Sequence, residues 1–409
     1  MRQDTTGGDA GVKDGQWIPL VKSGRERSVT RVEEQLNAWV NTPVLGSVLR
    51  SFWLFFIAVA LVPIVAPLQL LASLISAAYQ AYRNRRHIDP RGRVVVITGC
   101  DSGFGFAAAL HLAQQGFLVV AGCLRPQGMT ELTETWKSRA REGHAGGLTA
   151  VQCDVTKDGE RRGLLEATEK LLERSDGALL HAVINNAGIG IVGDVETTTE
   201  EAWNKILAVN VVGVAQISAL FVPLLREAVA RDTEVSPRII TVTSQAGFAT
   251  ATPGAAGYQA SKWAAQALTQ TMNIELEPSG ISVCTINPSF HRTPIFKNTY
   301  SGVLESSMDD QDKTKAILSA KTLTCLASQH HWDPQHVVNA MAYAVQGYVV
   351  DPVIPVGLDA CMLLQPMASL PFTTYKFLMK HVIVPAADAM AKDTVVPPDE
   401  YLKSTEKRD

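Results

Sequence analysis

From Arg93 to about Leu370 the chain alternates short apolar runs with longer helical ones, and no other feature restricts its fold as strongly. Val94–Thr98, Leu118–Ala121, Leu148–Val151, Ala182–Asn185, Arg238–Thr243 and Ile281–Ile286 are brief, rich in β-branched residues and separated by helical spans. Strands apolar on both faces and joined by helical crossovers pack as a parallel sheet with helices on each side. Six of them, evenly spaced and without internal repeat, predict an α/β fold: a doubly wound parallel sheet in a single domain.

Ahead of that region, Ser51 to Tyr82 carries no Asp, Glu, Lys, Arg or His. About 20 apolar helical residues cross a bilayer core, so the stretch can span. Secretory signals have a shorter apolar region that lies nearer the N-terminus, which argues against that reading. Pro63 and Pro67 mark either a kink in one tilted helix or the bend of a re-entrant hairpin. Arg83, Arg85, Arg86, Arg91 and Arg93 follow the run, against Arg50 alone before it, which predicts a cytoplasmic C-terminal bulk. The expected organisation is a polar arm over 1–50, a transmembrane helix or hairpin over 51–82, the α/β domain over 91–365 and an extension over 366–409. The expected location is a membrane, that of the endoplasmic reticulum. Cys361–Met390 is apolar with few charges and reads either as core or as an amphipathic helix touching a membrane.

Composition removes several function classes. A formal net charge of -3 lacks the basic excess of nucleic-acid binders. Six scattered cysteines, Cys100, Cys123, Cys153, Cys284, Cys325 and Cys361, form no C-x-x-C, and nine histidines form no H-E-x-x-H. The expectation is reduced thiols and no metal site.

The first strand ends in Thr98-Gly99-Cys100-Asp101-Ser102-Gly103-Phe104-Gly105 and a helix opens directly after it. Glycines permit positive φ and close approach of a diphosphate, while the helix start offers free N–H groups and a positive dipole end. That context, a strand before and a helix after, points to a Rossmann-type dinucleotide site. Further along, Tyr258-Gln259-Ala260-Ser261-Lys262 places a phenol and an ammonium on one helix face at i and i+4. Tyrosine titrates near ~10 in model peptides; an adjacent ammonium favours its phenolate and makes it a usable base.

The G-x-x-x-G-x-G spacing resembles the short-chain dehydrogenase/reductase family, and the resemblance recurs in order down the chain. Asp154-Val155 resembles the family's adenine-contacting pair, Asn185-Asn186-Ala187-Gly188 its sheet-stabilising turn, and Asn210-Val211-Val212-Gly213 its following helix. The resemblance implies catalysis by Asn210, Ser244, Tyr258 and Lys262, with Asn210 anchoring a water that links Lys262 to solvent. It implies cofactor contacts from Gly99, Ser102, Gly103, Phe104, Gly105, Asp154, Val155, Asn186, Ala187, Gly188, Tyr258, Lys262, Pro288 and Thr293. Ser244 lies fourteen residues before Tyr258, where many relatives have twelve or thirteen, and the loop Ala249–Gly257 is expected to absorb the extra one. Thr243, its neighbour on the strand, should point to the opposite face. Relatives usually carry Pro-Gly where this chain has Pro288-Ser289.

An acid ending the second strand favours NAD and a nearby Arg favours NADP. Here Cys123-Leu124-Arg125 ends it, so Arg125 is a candidate phosphate contact. Relatives with a similar A-G-C-L stretch are mostly NAD-linked, which favours NAD and leaves NADP open. The late Gly357-Leu358-Asp359-Ala360 and T-G-C-D-S-G-F-G look most like the branch with retinol, hydroxysteroid and 3-hydroxybutyrate dehydrogenases. The resemblance implies a membrane-bound oxidoreductase for a lipophilic alcohol, acting as a homodimer through two helices that include the one bearing Tyr258. An NADPH-driven ketone reductase, a short hydroxy-acid dehydrogenase and a catalytically silent scaffold are the alternatives.

Overall fold

The computed structural model describes residue 75, residues 87–140, 146–196, 198–248, 254–289, 291, 332–357, and 360, 376 and 381. All but Ile75 belong to the second of two compact units, Gln80–Asp409. The arm over 1–50, the apolar run over 51–82 apart from Ile75, Thr293 and nearly all of the extension over 366–409 lie outside the described residues.

Seven parallel strands form one sheet in the order β3-β2-β1-β4-β5-β6-β7. In chain order these are β1 (Arg93–Thr98), β2 (Leu118–Cys123), β3 (Gly147–Gln152), β4 (Leu179–Asn185), β5 (Arg238–Val242), β6 (Ser282–Pro288) and β7 (Val353–Val356). Six were expected from their β-branched runs. The seventh was missed because its four residues include Pro355, which an edge strand tolerates and a central one does not.

The helices are α1 (Gly103–Gln114), α2 (Pro126–Arg139), α3 (Asp158–Arg174), α4 (Glu200–Leu207), α5 (Val214–Arg231), α6 (Ala256–Leu276) and α7 (Gln335–Gln346). Local signals start several of them. Pro126 occupies the first turn of α2, where a missing N–H costs nothing. Thr199 caps α4 by accepting from Ala202 N at 3.2 Å, with Glu200 and Glu201 next to the positive helix end.

Alternation along β1 shows why both faces are covered. Val95 and Ile97 enter one core with Leu112 of α1, Leu132 and Trp136 of α2, and Met341 of α7. Val94 and Val96 enter the other with Leu164 of α3, Phe221 and Leu225 of α5, and Met272 of α6. Among the described residues one helical run, Glu200–Arg231, is long and apolar enough to cross a membrane. Its buried residues Ile206, Ile217, Phe221 and Leu225 pack into the domain, which explains that apolarity without a bilayer. Cys100, Cys123, Cys153 and Cys284 are buried free thiols, and burial pushes those of Cys123, Cys153 and Cys284 up to about 12.

Strand order reverses beside β1, whose sheet neighbours β2 and β4 lie on opposite sides. Open parallel sheets leave a crevice at the carboxyl ends of such strands. There the β1–α1 turn meets the turn after β4.

Candidate functional site

The glycine-rich turn is held open by its neighbours. Gly99 and Gly103 have φ of 71° and 61°, in the region that L side chains avoid. A Cβ on Gly99 would lie 2.7 Å from Ala187 Cα, and one on Gly105 would fall on the Gly99 carbonyl and on Asn186 Nδ2. Asn186 stitches the two turns together: its Nδ2 donates to the carbonyls of Thr98 at 2.9 Å and Gly99 at 3.0 Å. Thr98 Oγ1 in turn accepts from the backbone N–H groups of Asn186 and Ala187, each at 3.1 Å. Ser102 precedes α1 without a side-chain capping bond, so its hydroxyl does not occupy the helix start. A bare backbone and a helix N-terminus beside glycines fit a diphosphate. Asn185 points elsewhere, donating to Ser218 Oγ of α5 at 2.9 Å.

Tyr258, Ser244, Lys262 and Asn210 converge from three elements. The Ser244 side chain lies near enough to the Tyr258 phenol to lower its pKa, so the longer spacing between them does not separate them. Lys262 Nζ donates to Val242 O at 3.1 Å and lies 5.8 Å from the Tyr258 ring centroid. Burial pushes the Tyr258 phenol up, against the lowering effect of Ser244, and pulls the Lys262 ammonium down to about 8. Both shifts express one cause: each charged form is poorly solvated in this cleft.

Asn210 lies in a wide π-helical turn, Ala208–Gly213, between α4 and α5. Its Nδ2 donates to Ile189 O and Ser261 Oγ, both at 2.9 Å, and its Oδ1 accepts from Ile189 N at 2.9 Å. Ser261 Oγ donates to Tyr258 O at 2.7 Å, so Asn210 braces the first turns of α6. A Cβ on Gly188 would stand 3.4 Å from Asn210 Oδ1 and 3.5 Å from Lys262 Nζ, so the glycine leaves open a space bordering both.

Not every expected cofactor residue faces the crevice. Asp154 accepts from Thr156 N at 3.0 Å and Thr156 Oγ1 at 2.7 Å, with Lys157 Nζ 3.6 Å away. Val155 is buried in the second core against Gly213. These contacts shape the loop after β3 and leave the Asp154 side chain 20% exposed. Pro288 ends β6 opposite Val356, and Ser289 N donates to Val356 O at 3.0 Å.

Two groups escaped the sequence reading. Behind Ser244, a buried polar network joins β5, α6 and β6. Thr243 Oγ1 donates to Gln266 Oε1 at 3.1 Å, Asn287 Nδ2 donates to Thr243 Oγ1 and to Gln266 Oε1 (the latter at 2.8 Å), and Gln266 Nε2 donates to Thr285 Oγ1 at 3.3 Å. Gln245 Nε2 adds a bond to Asn287 O at 3.0 Å. Thr243 does point away from Ser244, as alternation requires. Beside the glycine-rich turn, the buried ring of His291 stands edge-on to Phe104 at 5.9 Å and to His336 at 6.4 Å. Polar residues within apolar strands were the available signal for the first group; the second has none in sequence.

Residues 93–303 match the family model described as short chain dehydrogenase. The chain belongs to the short-chain dehydrogenase family. It is 31% identical to retinol dehydrogenase 5 of Mus musculus over 55% of its own length and 65% of that relative's. It is 34% identical to the mitochondrial D-beta-hydroxybutyrate dehydrogenase of Bos taurus over 49% of its length and 55% of that relative's. The matches therefore span less than two thirds of either relative. Among solved structures, a 3-ketoacyl-(acyl-carrier-protein) reductase from Brucella melitensis complexed with NADH superposes with a TM-score of 0.52 at 24% identity, covering 65% of this chain and 96% of that one. That likeness establishes the fold.

Proposed function

We propose that the protein is a membrane-bound, nicotinamide-dependent oxidoreductase that interconverts a lipophilic alcohol, retinol- or hydroxysteroid-like, with its carbonyl. The observation that carries this reading is the Ser244 side chain set beside the Tyr258 phenol, with Lys262 Nζ 5.8 Å from the phenol ring. A nicotinamide dinucleotide, when bound, accepts or returns the hydride. The chain's own residues handle orientation and the proton. Ser244 bonds the substrate oxygen and fixes it at the phenol. Tyr258 takes the hydroxyl proton as the alcohol is oxidised and gives it back in reduction. Lys262, cationic below about pH 8, stabilises the phenolate that this requires. The space that Gly188 leaves between Lys262 and Asn210 suits a water passing the proton onward.

Gly99, Gly103, Phe104, Gly105, Ala187 and Gly188 would hold the diphosphate and nicotinamide side of the dinucleotide, with Thr293 on the carboxamide. The retinol and hydroxysteroid dehydrogenases among the relatives support a lipophilic substrate, since their names pair this family with such alcohols. The uncharged run over 51–82 supports a membrane site, where such a substrate concentrates. Two copies would associate through α5 and α6, the face from which Trp263 and Ile274 are exposed.

The test is to offer membranes carrying the protein NAD and NADP with retinols, steroids and short hydroxy acids. Turnover of lipophilic alcohols is expected, and Tyr258→Phe should lower it by a factor of ~10² or more while dinucleotide binding persists. Turnover confined to soluble short acids overturns the substrate class. Retention of most activity by Tyr258→Phe overturns the mechanism.

A further inference from the structure

Arg125 stands where an acid would mark a dinucleotide with a free 2′-hydroxyl, and its neighbourhood decides which ligand fits there. In the fold an acid reaches the same place from a different element. Asp101, within the glycine-rich turn, crosses to the end of β2, where its Oδ2 accepts from Leu124 N at 2.7 Å and its Oδ1 from Arg125 N at 2.8 Å. Arg125 Nε lies 3.6 Å from the same carboxylate. The Asp101 side chain is 13% exposed and that of Arg125 62%. Gly128 in the first turn of α2 makes the arrangement possible. A Cβ there would approach Asp101 Oδ1 to 2.7 Å and displace the carboxylate.

Without Asp101, this corner would suit a phosphate. It would offer two consecutive N–H donors, the positive end of α2 and a guanidinium. With Asp101, both donors are taken and a carboxylate stands 3.6 Å from the guanidinium. The carboxylate oxygens keep lone pairs that can accept from a hydroxyl, but a doubly charged phosphate meets a fixed negative charge. Desolvated like charges at such range are worth on the order of a tenfold to hundredfold difference in binding.

We propose that Asp101 is the residue that selects a nicotinamide dinucleotide with a free 2′-hydroxyl on its adenosine ribose over one phosphorylated there. This rests on the dinucleotide reading above. Arg125 is held by Asp101 and does not recruit the phosphate.

The test is binding, not turnover. Full-length protein in detergent is titrated with NADH and with NADPH, followed by nicotinamide fluorescence. The wild type should bind NADH at least about tenfold more tightly than NADPH. Asp101→Ala should gain about tenfold or more for NADPH while NADH binding falls only a few-fold. Adding Arg125→Ala to that variant should remove the gain. Wild-type binding of NADPH as tightly as NADH, or an unchanged ratio in Asp101→Ala, overturns the assignment and leaves the dinucleotide reading intact. Binding of neither by the wild type overturns the dinucleotide reading itself. Should Asp101→Ala fail to fold, Asp101→Asn keeps the shape and removes the charge, and an unchanged ratio there is equally decisive against it.

Discussion

Lys262, proposed above to support Tyr258, costs the fold stability. The residue is 6% exposed and its pKa is pulled from 10.5 to about 8 by burial. Between those values the unfolded chain binds the proton that the folded chain has lost, so stability rises with pH across roughly 8 to 10.5. Below pH 8 the folded state carries the full penalty, on the order of 3 kcal/mol. Lys262→Met should therefore lower turnover by a factor of ~10² or more while raising the urea midpoint at pH 7. Part of the gain is lost because Val242 O gives up its donor. Urea titrations at pH 7 and pH 10 check the sign: the advantage of the variant should shrink at the higher pH. A variant less stable than wild type at both would refute the account. The same residue scale explains what sequence could show. Tyr258 and Lys262 are legible because i and i+4 on a helix share a face; the approach of Ser244 to Tyr258 is not, since it depends on how a strand end meets that helix.

At the scale of elements, α6 is registered against the sheet by polar contacts. Gln266 lies one turn beyond Lys262 and two beyond Tyr258, and its amide engages β5 through Thr243 and β6 through Asn287 and Thr285. Replacing it by Met keeps the volume and takes one hydrogen bond each from buried Thr243, Asn287 and Thr285, at a cost of about 1–3 kcal/mol. The helix should then shift slightly against Ser244. The expected signature for Gln266→Met is a fall in kcat of about tenfold with little change in KM, because a small misplacement acts on the reacting geometry and not on binding. Gln266→Glu, which retains the acceptor, should recover part of kcat. Equal loss in KM would point to a collapsed site instead. Element positions were well anticipated where strands are buried on both faces. Edge strand β7 and the π-helical turn at Asn210 were not, because neither has a periodicity distinct from its surroundings.

For the whole molecule, two cores close on a sheet whose far pole is tied by charge. Arg238 is 1% exposed, and its guanidinium donates to Ala344 O and Gly347 O, both at 2.7 Å, at the C-terminal end of α7. Burial lowers it only to about 10, so it stays cationic where a helix end favours a cation. On the outside, Trp263 and Ile274 are eleven residues apart, three helical turns, and so share a face of α6 at 50% and 72% exposure. Two exposed apolar side chains on one helix face suit contact with a second copy. Trp263→Glu should convert a dimer to a monomer in light scattering of detergent-solubilised protein; an unchanged mass would remove α6 from the interface.

Local patterning was enough to determine the parallel α/β sheet, the glycine-rich turn after β1 and the shared face of Tyr258 and Lys262. Each depends on near neighbours: β-branched runs, positive φ at glycine, the 3.6-residue repeat. Tertiary structure alone decided that Ser244 lies beside Tyr258, that Val155 turns into the core, and that Gln266 braces α6. It also decided the environment of Arg125. An acid was absent from the end of β2 in sequence, yet Asp101 arrives there from 24 residues away because the sheet sets β1 beside β2. A side chain's charge belongs to its own position in the chain. The group it meets is chosen by how distant segments pack.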